Sequence, residues 1–129
     1  MTLTTTTSSP TNANFTVLAT FSKPVTGVTL GDFTVANGVA SALTPLSSTG
    51  YTILVTPPLD GVVTIHMSGA IAQDAALNPN QPSNTLSITY DGTDPTVTLT
   101  TTAPNPTNGA FTVLATFSES VTGVTAGDF

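Results

Sequence analysis

The sequence predicts an all-β chain: an antiparallel β-sandwich of about seven strands, followed by the first strands of a second copy of the same unit. Three observations carry this reading. Apolar and polar residues alternate with a period of two in a series of short runs. The composition suits a pleated surface: 29 residues are Thr, which is β-branched, and charged residues make up only 6%, against about 25% in ordinary globular domains. Finally, Thr2–Phe33 realigns without a gap on Thr98–Phe129 at an offset of 96, with 24 of 32 positions identical.

The runs follow one another along the first unit. Thr2–Thr7 is a short, Thr-rich candidate strand. In Phe15–Ser22, Phe15, Val17, Ala19 and Phe21 share one face and Thr16, Thr20 and Ser22 the other, while Leu18 breaks the pattern. Phe33–Ala36 and Ser41–Leu46 are shorter candidates. Tyr51, Ile53 and Val55 alternate with Thr52, Leu54 and Thr56. Val63, Ile65 and Met67 alternate with Val62, Thr64 and His66, and Leu86, Ile88 and Tyr90 with Thr85, Ser87 and Thr89. Turn chemistry separates them, at Ser9–Asn12, Lys23-Pro24, Asn37-Gly38, Ser48–Gly50, Pro57–Gly61 and Asn78–Asn80, where a β-meander needs it. Ala70–Ala76 is the single helical candidate; it is too short to stand alone and reads as a turn or one helical turn.

The repeat organises the chain. Residues 1–91 form a complete unit, 92–96 a short linker, and 97–129 the opening of a second unit. The linker carries Asp94 and Pro95, which favours a semi-rigid connection. Met1 is followed directly by strand-like sequence and aligns with Val97 inside the repeat frame, the expected mark of a segment cut from a longer protein.

Charge narrows the partners. The net charge is −6, with one Lys and no Arg, so there is no basic patch for nucleic acid or for an anionic membrane surface. No apolar run is long enough for a membrane-spanning helix. With no cysteine, disulfides and thiolate metal sites are excluded.

Several motifs at consistent spacing carry a family resemblance. They are Phe15–Ser22, Val25–Thr29, Gly31–Gly38, Asp74–Asn78, Ser83–Asp91 and the linker to Pro95-Thr96-Val97. Through them the chain resembles a bacterial Ig-like domain, of the kind repeated in tandem in large surface proteins and adhesins. The resemblance implies an Ig-like sandwich, export to the cell surface, and a role as stalk, spacer or adhesive repeat. One position departs from it: Leu77 stands where the family has Gly in an Asp-x-Ala-Gly-Asn turn. Either the loop differs in shape or Leu77 packs inward.

Catalytic signals are weak. His66 is the single histidine and falls on the Thr face of its strand. No phosphate-cradling Gly loop, Gly-x-Ser-x-Gly or His–carboxylate cluster is present. Lys23 is the only Lys, lies in a turn and becomes Glu119 in the second copy, which argues against a Lys–Asn cross-link. Asn14 becomes Ala110, which argues the same way for its glycosylation sequon. The metal candidate is Ca²⁺, which takes six to eight oxygen ligands. Asp91 and Asp94 flank the junction, and Asp74 with Asn78 lies in a loop that could reach the same end. The competing reading is that these residues only form turns. Asp32 and Asp128, in the repeated Gly-Asp-Phe, read as caps of a turn before a strand.

Phe111, Val113, Ala115 and Phe117 repeat the core face of Phe15–Phe21, without the strands that would cover it. Two or three strands with an open apolar face are not independently stable. The expected partners are therefore copies of the chain itself, met by strand donation or by continuation of the array. The functional expectation is an extracellular structural spacer repeat. The alternative is an adhesin repeat that binds a glycan or protein through its end loops.

Overall fold

The computed structural model describes residues 1–129. Nine strands occur in chain order: β1 (Thr2–Thr4), β2 (Phe15–Thr20), β3 (Phe33–Ala36), β4 (Val39–Pro45), β5 (Gly50–Thr56), β6 (Gly61–Met67), β7 (Leu86–Tyr90), β8 (Val97–Thr100) and β9 (Leu114–Phe117). Single 3-10 turns lie at Leu30–Asp32 and Ala126–Asp128. The chain divides into two compact units, Met1–Gly92 and Thr93–Phe129; the break lies inside the segment read as linker.

In the first unit, β1–β7 form two antiparallel sheets, ordered β1-β2-β5-β4 and β3-β6-β7. That distribution of seven strands is the constant-type immunoglobulin arrangement. It is not a simple meander, because the chain changes sheet between β2 and β3, β3 and β4, and β5 and β6. The Asn37-Gly38 turn is therefore a crossing between sheets rather than a hairpin tip. Gly38 is needed there: a Cβ would lie 3.0 Å from Val35 Cγ1, 3.1 Å from Val63 Cγ1 and 3.3 Å from Val55 Cγ1. Asn37 takes φ 51°, and its Nδ2 donates to Leu59 O at 3.0 Å, tying this crossing to the other one at the same end.

The period-two pattern explains the core. Phe15, Val17 and Ala19 of β2 are buried, as are Ile53 and Val55 of β5, Val63, Ile65 and Met67 of β6, and Ile88 of β7. Every fully buried residue is apolar, so the core holds no polar side chain needing a partner. Leu18, the break in the β2 pattern, stands on the outer face of its sheet, diagonal in register to Leu54. β4 starts at Val39, two residues before the expected Ser41, and its register slips between Ala40 and Ala42. The bulged Ser41 lets Ala40 and Leu43 both turn toward the core.

Residues 68–81 form no helix; they make an irregular connection that inserts Ala72 into the core. Leu77 corrects one alternative. It does not pack inward: it is 74% exposed and sits at φ 63°, the left-handed geometry that favours glycine. A left-handed non-glycine residue costs about 1–2 kcal/mol, part of which glycine's greater unfolded-state freedom takes back. Leu77→Gly should thus stabilise the first unit by about 0.5–1 kcal/mol and raise Tm by about 4 °C. Scanning calorimetry checks this; an unchanged or lower Tm would show that the turn is unstrained.

The second unit repeats the first residue for residue where its partners allow. β8 pairs with β9 as Thr98↔Thr116, Leu99↔Ala115 and Thr100↔Leu114, the register of Thr2↔Thr20, Leu3↔Ala19 and Thr4↔Leu18 shifted by 96. Phe111–Val113 is where the copies part. Its sequence is that of Phe15–Val17, yet it is not strand. In the first unit those three residues pair only with β5, through Val55, Leu54 and Ile53, because β1 reaches no further than Leu18. Without a β5, the backbone of Phe111–Val113 has no ladder to join.

Candidate functional site

Three places hold the residues singled out from sequence: the two ends of the first sandwich and the apolar face of the second unit. β6 separates the two ends. It starts at Gly61, paired with Tyr90, and finishes at Met67, paired with Phe33. Seven residues in a strand span about 20 Å.

At the Met67 end, the 68–81 segment is built on two side chains. Asn80 Oδ1 accepts from Ile71 N at 2.9 Å and Ala72 N at 2.8 Å, and its Nδ2 donates to Ser68 O and Gln81 O, both at 3.0 Å. Gln73 exchanges both backbone hydrogen bonds with Thr26. Asp74 then closes the turn. Its Oδ1 accepts from Ala76 N at 2.9 Å, Asn78 N at 3.0 Å and Asn78 Nδ2 at 3.1 Å. Its Oδ2 accepts from Asn78 Nδ2 at 3.1 Å and lies 3.4 Å from Lys23 Nζ. These donors hold the Asp74 carboxyl below the usual carboxylate range, the Asn78 side chain contributing most and its backbone N–H next. Partial desolvation opposes them, and the Ala76 N–H and Lys23 add smaller contributions.

At the Gly61 end, Asp91 N donates to Thr11 O at 2.9 Å, and Gly92 N donates to Asp60 Oδ1 at 2.7 Å. The expectation that Asp74 and Asn78 fold to the same end as Asp91 is therefore corrected: the two sets lie at opposite ends of β6, and Asp94 falls in the second unit. The Asn78 side-chain amide donates to the Asp74 carboxylate, which also accepts from the backbone N–H groups of Ala76 and Asn78. No group of three or more His, Asp or Glu side chains converges anywhere as a metal cage.

The remaining candidates are local. Asp32 Oδ2 accepts from Thr29 N at 2.6 Å and Thr29 Oγ1 at 3.0 Å, capping the 3-10 turn that leads into β3. Asp128 does the same with Thr125 at 2.7 and 3.0 Å, and those two bonds, the backbone one first, lower its pKa. His66 is half-buried opposite Thr34 at the β3–β6 pairing.

Sequence reasoning passed over Asn80 and Asn84. Asn84 Oδ1 accepts from Leu3 N at 2.8 Å and its Nδ2 donates to Leu3 O at 3.0 Å, so one amide acts as a strand partner for β1. Nothing local distinguishes it: an Asn before a strand reads as a turn residue.

The second unit presents the same residue types with only two strands, β8 and β9. Phe111 is 56% exposed and Val113 47%, whereas Phe15 and Val17 are 2% and 0%. Ala115 and Phe117 are half-buried, while Ala19 and Phe21 are buried. Val113, Ala115 and Phe117, with Leu99 and Phe129, line a contiguous apolar face on this unit, and Phe111 is exposed as well.

No curated protein and no solved structure matches the chain. A family model described as bacterial Ig-like domain matches residues 1–90, the whole of the first sandwich. With the seven-strand arrangement of its two sheets, that match places the chain in the family of bacterial Ig-like domains.

Proposed function

We propose that the chain is a structural spacer repeat of an extracellular bacterial surface protein or fibre, extended head to tail. In this reading it also associates with copies of itself through the open face of its second unit. Bacterial Ig-like domains are non-catalytic modules common in surface proteins, which supports the setting. No helix is long and apolar enough to cross a membrane.

The observation that carries the reading is where the chain comes into the first sandwich and where it leaves. Leu3 is clamped beside Asn84, ahead of β7, while Thr11 bridges in parallel to Tyr90 at the end of β7. The start and finish of the unit therefore lie at opposite ends, the entry and exit a spacer module needs. The same geometry resists pulling. The 3–11 segment runs alongside residues 84–91, joined by both Asn84–Leu3 bonds, by Thr89 N to Ser9 Oγ at 2.9 Å, by Thr11 N to Thr89 O at 3.0 Å and by Asp91 N to Thr11 O. Tension applied at the two ends loads these bonds together in shear, rather than one after another.

Small-angle X-ray scattering of chains with one, two and four complete units tests the spacer role. The maximum dimension should rise linearly, by roughly 30 Å or more per unit, from a seven-residue strand at about 3.3 Å per residue plus the loops at both ends. Growth as the cube root of mass would show clustering and sink the reading. Self-association is read separately by sedimentation velocity: it should be lost when Phe111 and Val113 are both replaced by Asp, and its persistence would remove the open face from the proposal.

A further inference from the structure

The eight differences between the repeated segments 2–33 and 98–129 are distributed in a telling way. Every side chain that the first segment buries, Leu3, Phe15, Val17, Ala19, Phe21 and Phe33, is unchanged in the second. The rest of the first unit, residues 34–90, cannot tell one segment from the other by these fully buried side chains. Three of the differences do fall on contacts with that body. Ser9, whose Oγ accepts from Thr89 N, becomes Asn105. Leu30, packed against the core, becomes Ala126. Lys23, 3.4 Å from Asp74, becomes Glu119.

The charge reversal is the most discriminating of the three. Asp74 Oδ1 is occupied by three N–H donors, and Oδ2, which also accepts from Asn78 Nδ2, faces residue 23. A Glu at that position would meet a carboxylate with no other Lys or Arg in the chain to offset it. Asp74 is also the less exposed partner, 13% against 68% for Lys23, so it has little room to turn away.

We propose that Asp74 selects which copy of the segment the body of the first unit accepts: it admits the segment bearing Lys23 and turns away a neighbouring repeat's segment bearing Glu119. Near-identical repeats held close together would otherwise exchange their β1–β2 hairpins, since tethering gives effective concentrations around the millimolar range. Attraction to the right segment and repulsion of the wrong one together set the specificity. This rests on the repeat organisation, and stands or falls independently of the spacer role.

The test places Leu54→Cys and Thr112→Cys in the full chain, which has no other cysteine. Thr112 matches Thr16, the register partner of Leu54, so a disulfide reports the second segment seated beside β5 in place of the first. The chain is refolded from urea under oxidising conditions, and linked products within and between chains are counted by non-reducing mass spectrometry. Adding Glu119→Lys should raise the linked fraction about three- to tenfold, as should Lys23→Glu, and the gain should shrink in about 1 M NaCl. Equal linkage with Glu119 and with its Lys replacement overturns the proposal: if high, the core alone decides; if low, nothing needs turning away. A gain that is unchanged in high salt also overturns it, because the cause would not be charge.

Discussion

Phe15→Ala should destabilise the first unit by about 3–5 kcal/mol, while Phe111→Ala should change the stability of the chain by less than about 0.5 kcal/mol. The two residues begin identical octapeptides, Phe15–Ser22 and Phe111–Ser118. Phe15 is enclosed, with Val55 opposite it on β5 and both sheets closing over it. Removing its ring forfeits the transfer free energy and leaves a cavity that the surrounding Val and Ile side chains fill only in part. Phe111 keeps more than half its surface in water and has no strand beside it, so truncation loses little. For a domain of this size, the Phe15 variant should melt at least about 12 °C lower. Thermal unfolding of both variants at low protein concentration checks the pair. A comparable loss in the Phe111 variant would mean that its face is covered within the chain.

Asn80→Ala should cost the first unit about 2–4 kcal/mol, an unusual amount for a polar residue outside the strands. One amide serves Ile71 N, Ala72 N, Ser68 O and Gln81 O. Ala72 is fully buried, so the donor it strands on mutation lies away from water. An unsatisfied buried group costs about 1–3 kcal/mol, and the others add smaller losses. Asn80→Asp keeps both acceptor contacts and loses the two donors, and should fall between. Urea unfolding measures both: the midpoint should drop with the slope unchanged. A near-normal midpoint for the Ala variant would show that water replaces the amide.

The strands were legible because burial in a two-sheet sandwich imposes a period of two, and Thr on the outer faces keeps that period clean. The inward residues of β2, β5, β6 and β7 are those the alternation selects. β4 was displaced by two residues because a bulge lets neighbours of equal parity point to different faces. The Asn37-Gly38 turn was legible as a turn but not as a crossing between sheets. A left-handed Asn followed by Gly suits a hairpin equally well; only the three Val methyl groups around Gly38 show what it does. Asp32 was readable as a cap because its partner, Thr29, is three residues away. Asn84 was not, because its partner, Leu3, is 81 residues away.

The sequence by itself determined the repeat, the all-β class, the family resemblance and the inward face of each long strand. All of these depend on neighbours in the chain or on a comparison of the chain with itself. Tertiary structure decided which side chains serve as strand partners, and that Asp74 and Asp91 stand at opposite ends. It also decided whether one octapeptide is core or surface. Phe15 and Phe111 carry the same local information; within residues 1–129, β5 pairs beside Phe15 and no strand pairs beside Phe111. Strand pairing and burial come from distant residues, so identical sequences have different fates wherever those residues differ.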